Sequence, residues 1–130
     1  MSTELKKMLE QMTAELDGMI AAAVVSIDDG LLVERVSKKT DVHPGPAAAY
    51  LARVVQSNRE AMRMLGWNQQ PEDILITTEE SYFIIRQLAG DLFFLFVLTT
   101  RDEWIGRTRA LMAQYAKQIT VILDLVKKKS

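Results

Sequence analysis

The stretch from Asp73 to Leu98 reads DILITTEESYFIIRQLAGDLFFLFVL. It divides into runs rich in Ile, Thr, Phe and Leu, which continue to Thr99. These are Ile74–Thr78, Tyr82–Leu88 and Leu92–Thr99, linked by Glu79-Glu80-Ser81 and Ala89-Gly90-Asp91. Such short links cannot carry a crossover between parallel strands, so an antiparallel meander is expected. The last run, LFFLFVL, has no polar face, which places it inside a sheet covered on both sides.

Upstream, Met19–Ile27 is a second continuously apolar run. Asp28-Asp29-Gly30 interrupts it, and Leu31–Val36 follows. Two apolar runs around an Asp/Gly turn predict a β-hairpin. Leu5, Met8, Leu9, Met12 and Leu16 recur at helical spacing before it, with Ser2 or Thr3 as N-cap and Asp17-Gly18 as stop. A long helix is expected from Pro46 to Leu65, stopped by Gly66. Thr100 and Glu103 have capping-box spacing and open a last helix. Its buried face is expected to carry Trp104, Leu111, Met112, Tyr115, Ile119, Ile122 and Val126.

The order is α-β-β-α-β-β-β-α. The two runs that are apolar on both faces belong in the middle of the sheet. The hairpin keeps strand two beside strand one, and the meander keeps five, four and three in sequence. The expectation is an α/β fold, a five-stranded antiparallel sheet of order 2-1-5-4-3 with helices on both faces. Strand three then forms an edge with no lysine or proline to blunt it.

On a helical wheel, Ala47, Ala48, Tyr50, Leu51, Val54, Val55, Ala61, Met62, Met64 and Leu65 span an arc of roughly 200°. A helix packed on one sheet shows a stripe of about 100° or somewhat more. The surplus, beside an open strand edge, points to a homodimer about a two-fold axis near strand three and this helix. Asn58 sits near the arc's centre. It either bonds locally or to water, or pairs across a helix–helix contact and sets register. Arg53, Gln56, Arg59, Glu60 and Arg63 form the opposite, polar ridge, facing solvent or a partner.

The 130 residues fit a single domain, 1–130, able to bury a core. Hydrophobic residues make up 48% and charged residues 25%; the net charge is -1 and there is no Cys. That balance offers no broad basic field for nucleic acid, and excludes disulfides and thiolate metal sites. The run Lys127–Lys129 reads as a solvated helix end. No apolar segment is long enough to span a bilayer, and the polar start lacks a signal-peptide core, so no membrane insertion and a cytoplasmic location are expected.

Chemistry finds few candidates. His43 is the one histidine and sits beside a proline in a polar loop, which suits neither a catalytic base nor a zinc site. No GxxxxGK[ST] phosphate loop occurs. Asp28/Asp29 and Glu79/Glu80 read as solvated turn residues rather than ligands of a hard cation. Trp67, Trp104 and Tyr82 read as core or interface rather than base-stacking platforms. No enzyme, cofactor or metal is expected.

The ordered set AAAVVSIDDGLLVER, GPAAAYLARVV, the three-strand meander and the long last helix resembles the roadblock/LC7 family. That family includes dynein roadblock light chains and bacterial and archaeal regulators of Ras-like GTPases. The resemblance implies a profilin-like fold and a dimer built through the middle helix and strand three. It would put Val54, Asn58, Ala61, Met62, Ile74, Ile76 and Thr78 at the dimer contact. It implies a non-enzymatic regulator or scaffold for a Ras-like small GTPase, with Arg53, Gln56, Glu60 and Arg63 facing that partner. An assembly adaptor in a motor or signalling complex and a small-ligand sensor are the alternatives.

Overall fold

The computed structural model describes residues 2–69, 72–88 and 90–129, and the side chains of 3–69, 72–88 and 90–124 among them. Ser2 as a cap, Ala89 in the meander and Val126 on the last helix fall outside those side chains. The elements are α1 (Ser2–Ala14), β1 (Met19–Ser26), β2 (Leu32–Ser37), α2 (Pro44–Met64), β3 (Asp73–Thr77), β4 (Ser81–Gln87), β5 (Phe93–Thr100) and α3 (Ile105–Lys129). The sheet is antiparallel throughout, in the order β2-β1-β5-β4-β3. This is the expected topology.

Alternation along the strands divides the core in two. Ala22 and Val24 of β1, Ile84 of β4, and Leu95 and Val97 of β5 face α1 and α3, where they meet Leu5, Leu9, Met12, Met112, Tyr115 and Ile119. Ala23, Val25, Ile85, Phe94 and Phe96 face α2, where Ala48, Leu51, Ala52 and Val55 cover them. β1 and β5 pair from Met19↔Thr99 to Ser26↔Phe93, and both are buried on both faces, hence their continuous apolar sequence.

The hairpin turn is structural. Gly30 adopts φ 69°, and Asp29 Oδ1 accepts the Leu31 N–H at 3.0 Å. That bond, then one from the Ser26 side chain, lowers the Asp29 carboxyl below its ordinary pKa. Asp28 and Asp29 are exposed. Gly30 also packs on α2: a Cβ there would lie 2.9 Å from Ala49 Cα.

Three local expectations need correction. α2 starts at Pro44 rather than Pro46, because both prolines fall in the first turn, where a missing N–H costs no helical bond. Thr100 and Glu103 do not form a capping box: Thr100 ends β5 and α3 begins at Ile105. Glu103 Oε1 instead accepts the Gly18 N–H at 2.7 Å, and the Thr100 N–H donates to Gly18 O at 2.8 Å. Trp104 therefore precedes α3 and is 81% exposed; Leu123 joins the buried face instead. Trp67 is exposed too, so of the three aromatic residues expected in core or interface Tyr82 packs against the core, and Trp67 and Trp104 lie on the surface.

Candidate interaction face

α2 covers one face of the sheet. Its start approaches β2, where Gly45 sits near Arg35 and Leu32; its second turn meets the hairpin turn at Gly30 through Ala49. Farther along, Gln56 Nε2 donates to Ile27 O at 2.6 Å. Arg59 donates from Nε and Nη2 to Gln87 Oε1 at 3.0 and 2.6 Å, and from Nη2 to Asp91 O at 2.9 Å. Gln56 and Arg59 thus tie one flank of the helix to β1 and to the β4–β5 turn. The helix ends in a Schellman motif: the Trp67 N–H bonds Met62 O, the Gly66 N–H bonds Arg63 O, and Gly66 has φ 76°.

The wide apolar arc therefore splits. One part, Ala48, Leu51 and Val55, is spent on the sheet together with Ala52, which the arc did not include. The other part, Ala47, Tyr50, Val54, Ala61, Met64 and Leu65, stays exposed, Tyr50 by 67%. Asn58 and Met62 sit half-buried where the two parts meet. Asn58 Oδ1 is buried and finds no hydrogen-bond partner among the described residues, so the local bond open to it from sequence is not made.

β3 closes one side of the sheet, paired only to β4 among the described strands. Ile74 and Ile76 lie on the α2 face, half-buried, opposite Ile85 and Phe83. Phe83 packs edge-on to Phe96, with centroids 5.9 Å apart. Thr78 falls just past β3, in the turn, where its N–H donates to Ser81 O and its Oγ1 accepts the Ser81 N–H at 3.0 Å. Val54, Asn58, Ala61 and Met62 thus lie on α2, Ile74 and Ile76 lie on the sheet face that α2 covers, and Thr78 lies in the adjoining turn. Tyr50 and Leu65, exposed on α2, and Phe83, half-buried on β4, were not among the expected contact residues. The first two were already visible as members of the wide arc.

The polar ridge is uneven. Arg53, Gln56, Glu60 and Arg63 are all exposed, Arg59 is half-buried, and the Gln56 amide also bonds Ile27 O. The Arg53 guanidinium lies 5.6 Å from the Tyr50 ring centroid. Arg63 Nε donates to Glu60 Oε2 at 3.1 Å. That bond, with the adjacent charge, lowers the Glu60 pKa and raises that of Arg63. Among the described residues no three acidic or His side chains converge as metal ligands, and no helix is long and apolar enough to cross a membrane.

Neither the protein-family models nor the curated proteins yield a match to this sequence. Solved structures do match in shape. Myxococcus xanthus MglB aligns at TM-score 0.83 and 14% identity, over 94% of this chain and 96% of that one. A roadblock/LC7 domain from Streptomyces avermitilis aligns at 0.81 and 18%, over 91% and 96%. Schizosaccharomyces pombe profilin aligns at 0.63 and 14%, over 90% and 97%. With the strand order and the placement of its three helices, the chain has the roadblock/LC7 fold.

Proposed function

We propose that residues 1–130 form a single non-enzymatic domain that dimerises and serves as a regulator or scaffold for a Ras-like small GTPase. One observation carries the dimer: the exposed apolar half of α2, bordered by a buried and unpartnered Asn58 Oδ1. The size of the surface argues for including β3. A helix of this length is ~30 Å long, and a contact strip ~10 Å wide on it covers ~300 Å², well short of the ~800 Å² per partner of a stable interface. The edge of β3, with Ile74, Ile76 and Phe83 beside it, supplies a continuation. Two-fold pairing would bring Asn58 of each copy toward the other helix and satisfy its oxygen.

The GTPase reading follows from the roadblock/LC7 resemblance, to which the fold adds weight. A dimer would present two polar ridges, with Arg53, Gln56, Glu60 and Arg63 on each. Such a platform acts by binding one nucleotide state of its partner more tightly than the other. A cytoplasmic location accords with this role. An assembly adaptor remains the alternative, separated from it by the composition of pull-downs. The open groove between α1 and the β2–α2 connection, lined in part by charged residues, does not favour the small-ligand reading.

The dimer is tested by solution mass. Wild type is expected at twice the chain mass, and Asn58→Asp, which puts a carboxylate at the contact, is expected to shift toward monomer. An unchanged dimer removes Asn58 from the interface. GTP turnover and binding by the cognate GTPase test the partner, and failure to bind either nucleotide state ends that reading.

A further inference from the structure

We infer that the groove between α1 and the β2–α2 connection docks an acidic segment of a partner protein. The groove has a volume of about 510 Å³. Lys6 of α1, Arg35 of β2, and Lys38 and Lys39 of the connection line it, against Glu10 as the one acidic lining residue. Val36 and Val42 add apolar surface between them. A chain of net charge -1 thus concentrates positive charge in one concave place.

These cations are not neutralised from within. The described ion pairs use Arg59, Arg63, Arg86 and Arg109, and among the described residues no carboxylate lies within 4.0 Å of the four groove cations. Lys38 Nζ donates to Leu16 O at 3.0 Å, which fixes one ammonium. α2 also begins here, at Pro44, with no acidic residue in its first turn and no side-chain cap from His43. Its positive dipole end adds to the field of the side chains.

The arrangement selects among anions. A single phosphate is held by convergent, buried donors, whereas these four cations are exposed and spread over α1, β2 and the β2–α2 connection. A membrane surface is flat and reaches neither the floor of a groove nor its apolar wall. A peptide with several spaced carboxylates can meet the cations in turn and lay small apolar groups on Val36 and Val42. None of the four cations lies on α2, so the site is independent of the dimer and GTPase readings.

The test is fluorescence anisotropy with a fluorescein-labelled decapeptide of alternating Glu and Ala. Saturable binding is expected, weakened by salt and weakened about tenfold or more in Lys6→Glu/Lys39→Glu. Arg107→Glu/Lys117→Glu, the same change of net charge on exposed α3 positions, should bind as wild type. No saturable binding, or equal weakening in both double variants, overturns the proposal. Displacement of the peptide by inorganic phosphate at equal charge, or tighter binding to phosphatidylserine vesicles than to the peptide, overturns it in favour of another anion. Should the charge reversal unfold the chain, the milder Lys39→Gln is read in its place, and affinity equal to wild type there counts against the groove.

Discussion

Removing the contact between Gly18 and Glu103 should reveal a coupling across most of the chain. The Gly18 N–H donates to Glu103 Oε1 at 2.7 Å, and the two residues are 85 positions apart. A Cβ at Gly18 would lie 2.4 Å from Glu103 Cγ and 2.6 Å from Thr100 Oγ1. Glu103→Ala loses a partly buried, charge-assisted bond, which costs about 1.5–3 kcal/mol. Gly18→Ala displaces the same carboxylate and loses the same bond, offset by about 0.4–1 kcal/mol because alanine restricts the unfolded chain. In the double variant the bond is already absent and most of the crowding is gone. It should therefore cost about as much as Glu103→Ala alone, a coupling of about 1–2 kcal/mol. Urea unfolding of the four proteins at one concentration, with unchanged m-values, measures it. Effects that add to within about 0.5 kcal/mol would refute the clamp. If Thr100 and Glu103 instead capped α3, Thr100→Ala and Glu103→Ala would each cost about 1 kcal/mol while Gly18→Ala stayed independent.

Gly30→Ala should cost about 2 kcal/mol or more by urea unfolding, since a positive φ is combined with a Cβ 2.9 Å from Ala49 Cα. Gly66→Ala, also at positive φ but with nothing within 4 Å, should cost only about 1 kcal/mol. Asp73, its side chain 6% exposed, is held by Arg86 Nε at 2.9 Å and Arg109 Nε at 2.5 Å. Arg86→Ala should cost about 2–4 kcal/mol by leaving a buried carboxylate half-paired, and Arg109→Ala, with a more exposed guanidinium, under about 1 kcal/mol in the same assay. Burial, then the hydrogen bond to Glu15, pushes the Tyr115 hydroxyl up to about 12. Its folded-state pKa lies above the unfolded value near 10, so its contribution is complete below pH ~10 and lost as pH rises toward ~12. Alkaline melting curves of wild type should fall across that window, and those of Tyr115→Phe should fall less.

What the sequence determined by itself is what depends on near neighbours. The meander links are too short for a crossover, so antiparallel pairing was legible in residues 73–99. Continuous apolarity marked β1 and β5 as central, since only a strand covered on both faces lacks a polar side. The α2 arc was too wide for one sheet, and Gly66 ended the helix by its own backbone conformation. Other features arise only on folding, because they rest on partners far apart in the chain. Thr100 and Glu103 match a capping box locally, but Gly18 sits within hydrogen-bond reach and takes the carboxylate first. That moves the start of α3 to Ile105 and leaves Trp104 outside. The ridge of α2 looks uniform on a wheel, yet packing half-buries Arg59 against the sheet end and anchors the exposed Gln56 to Ile27 O, while Arg53, Glu60 and Arg63 face out. Lys6, Arg35, Lys38 and Lys39 are unremarkable in a nearly neutral composition. They become a cationic groove because α1 packs beside β2, and Coulomb interactions follow distance in space rather than position along the chain.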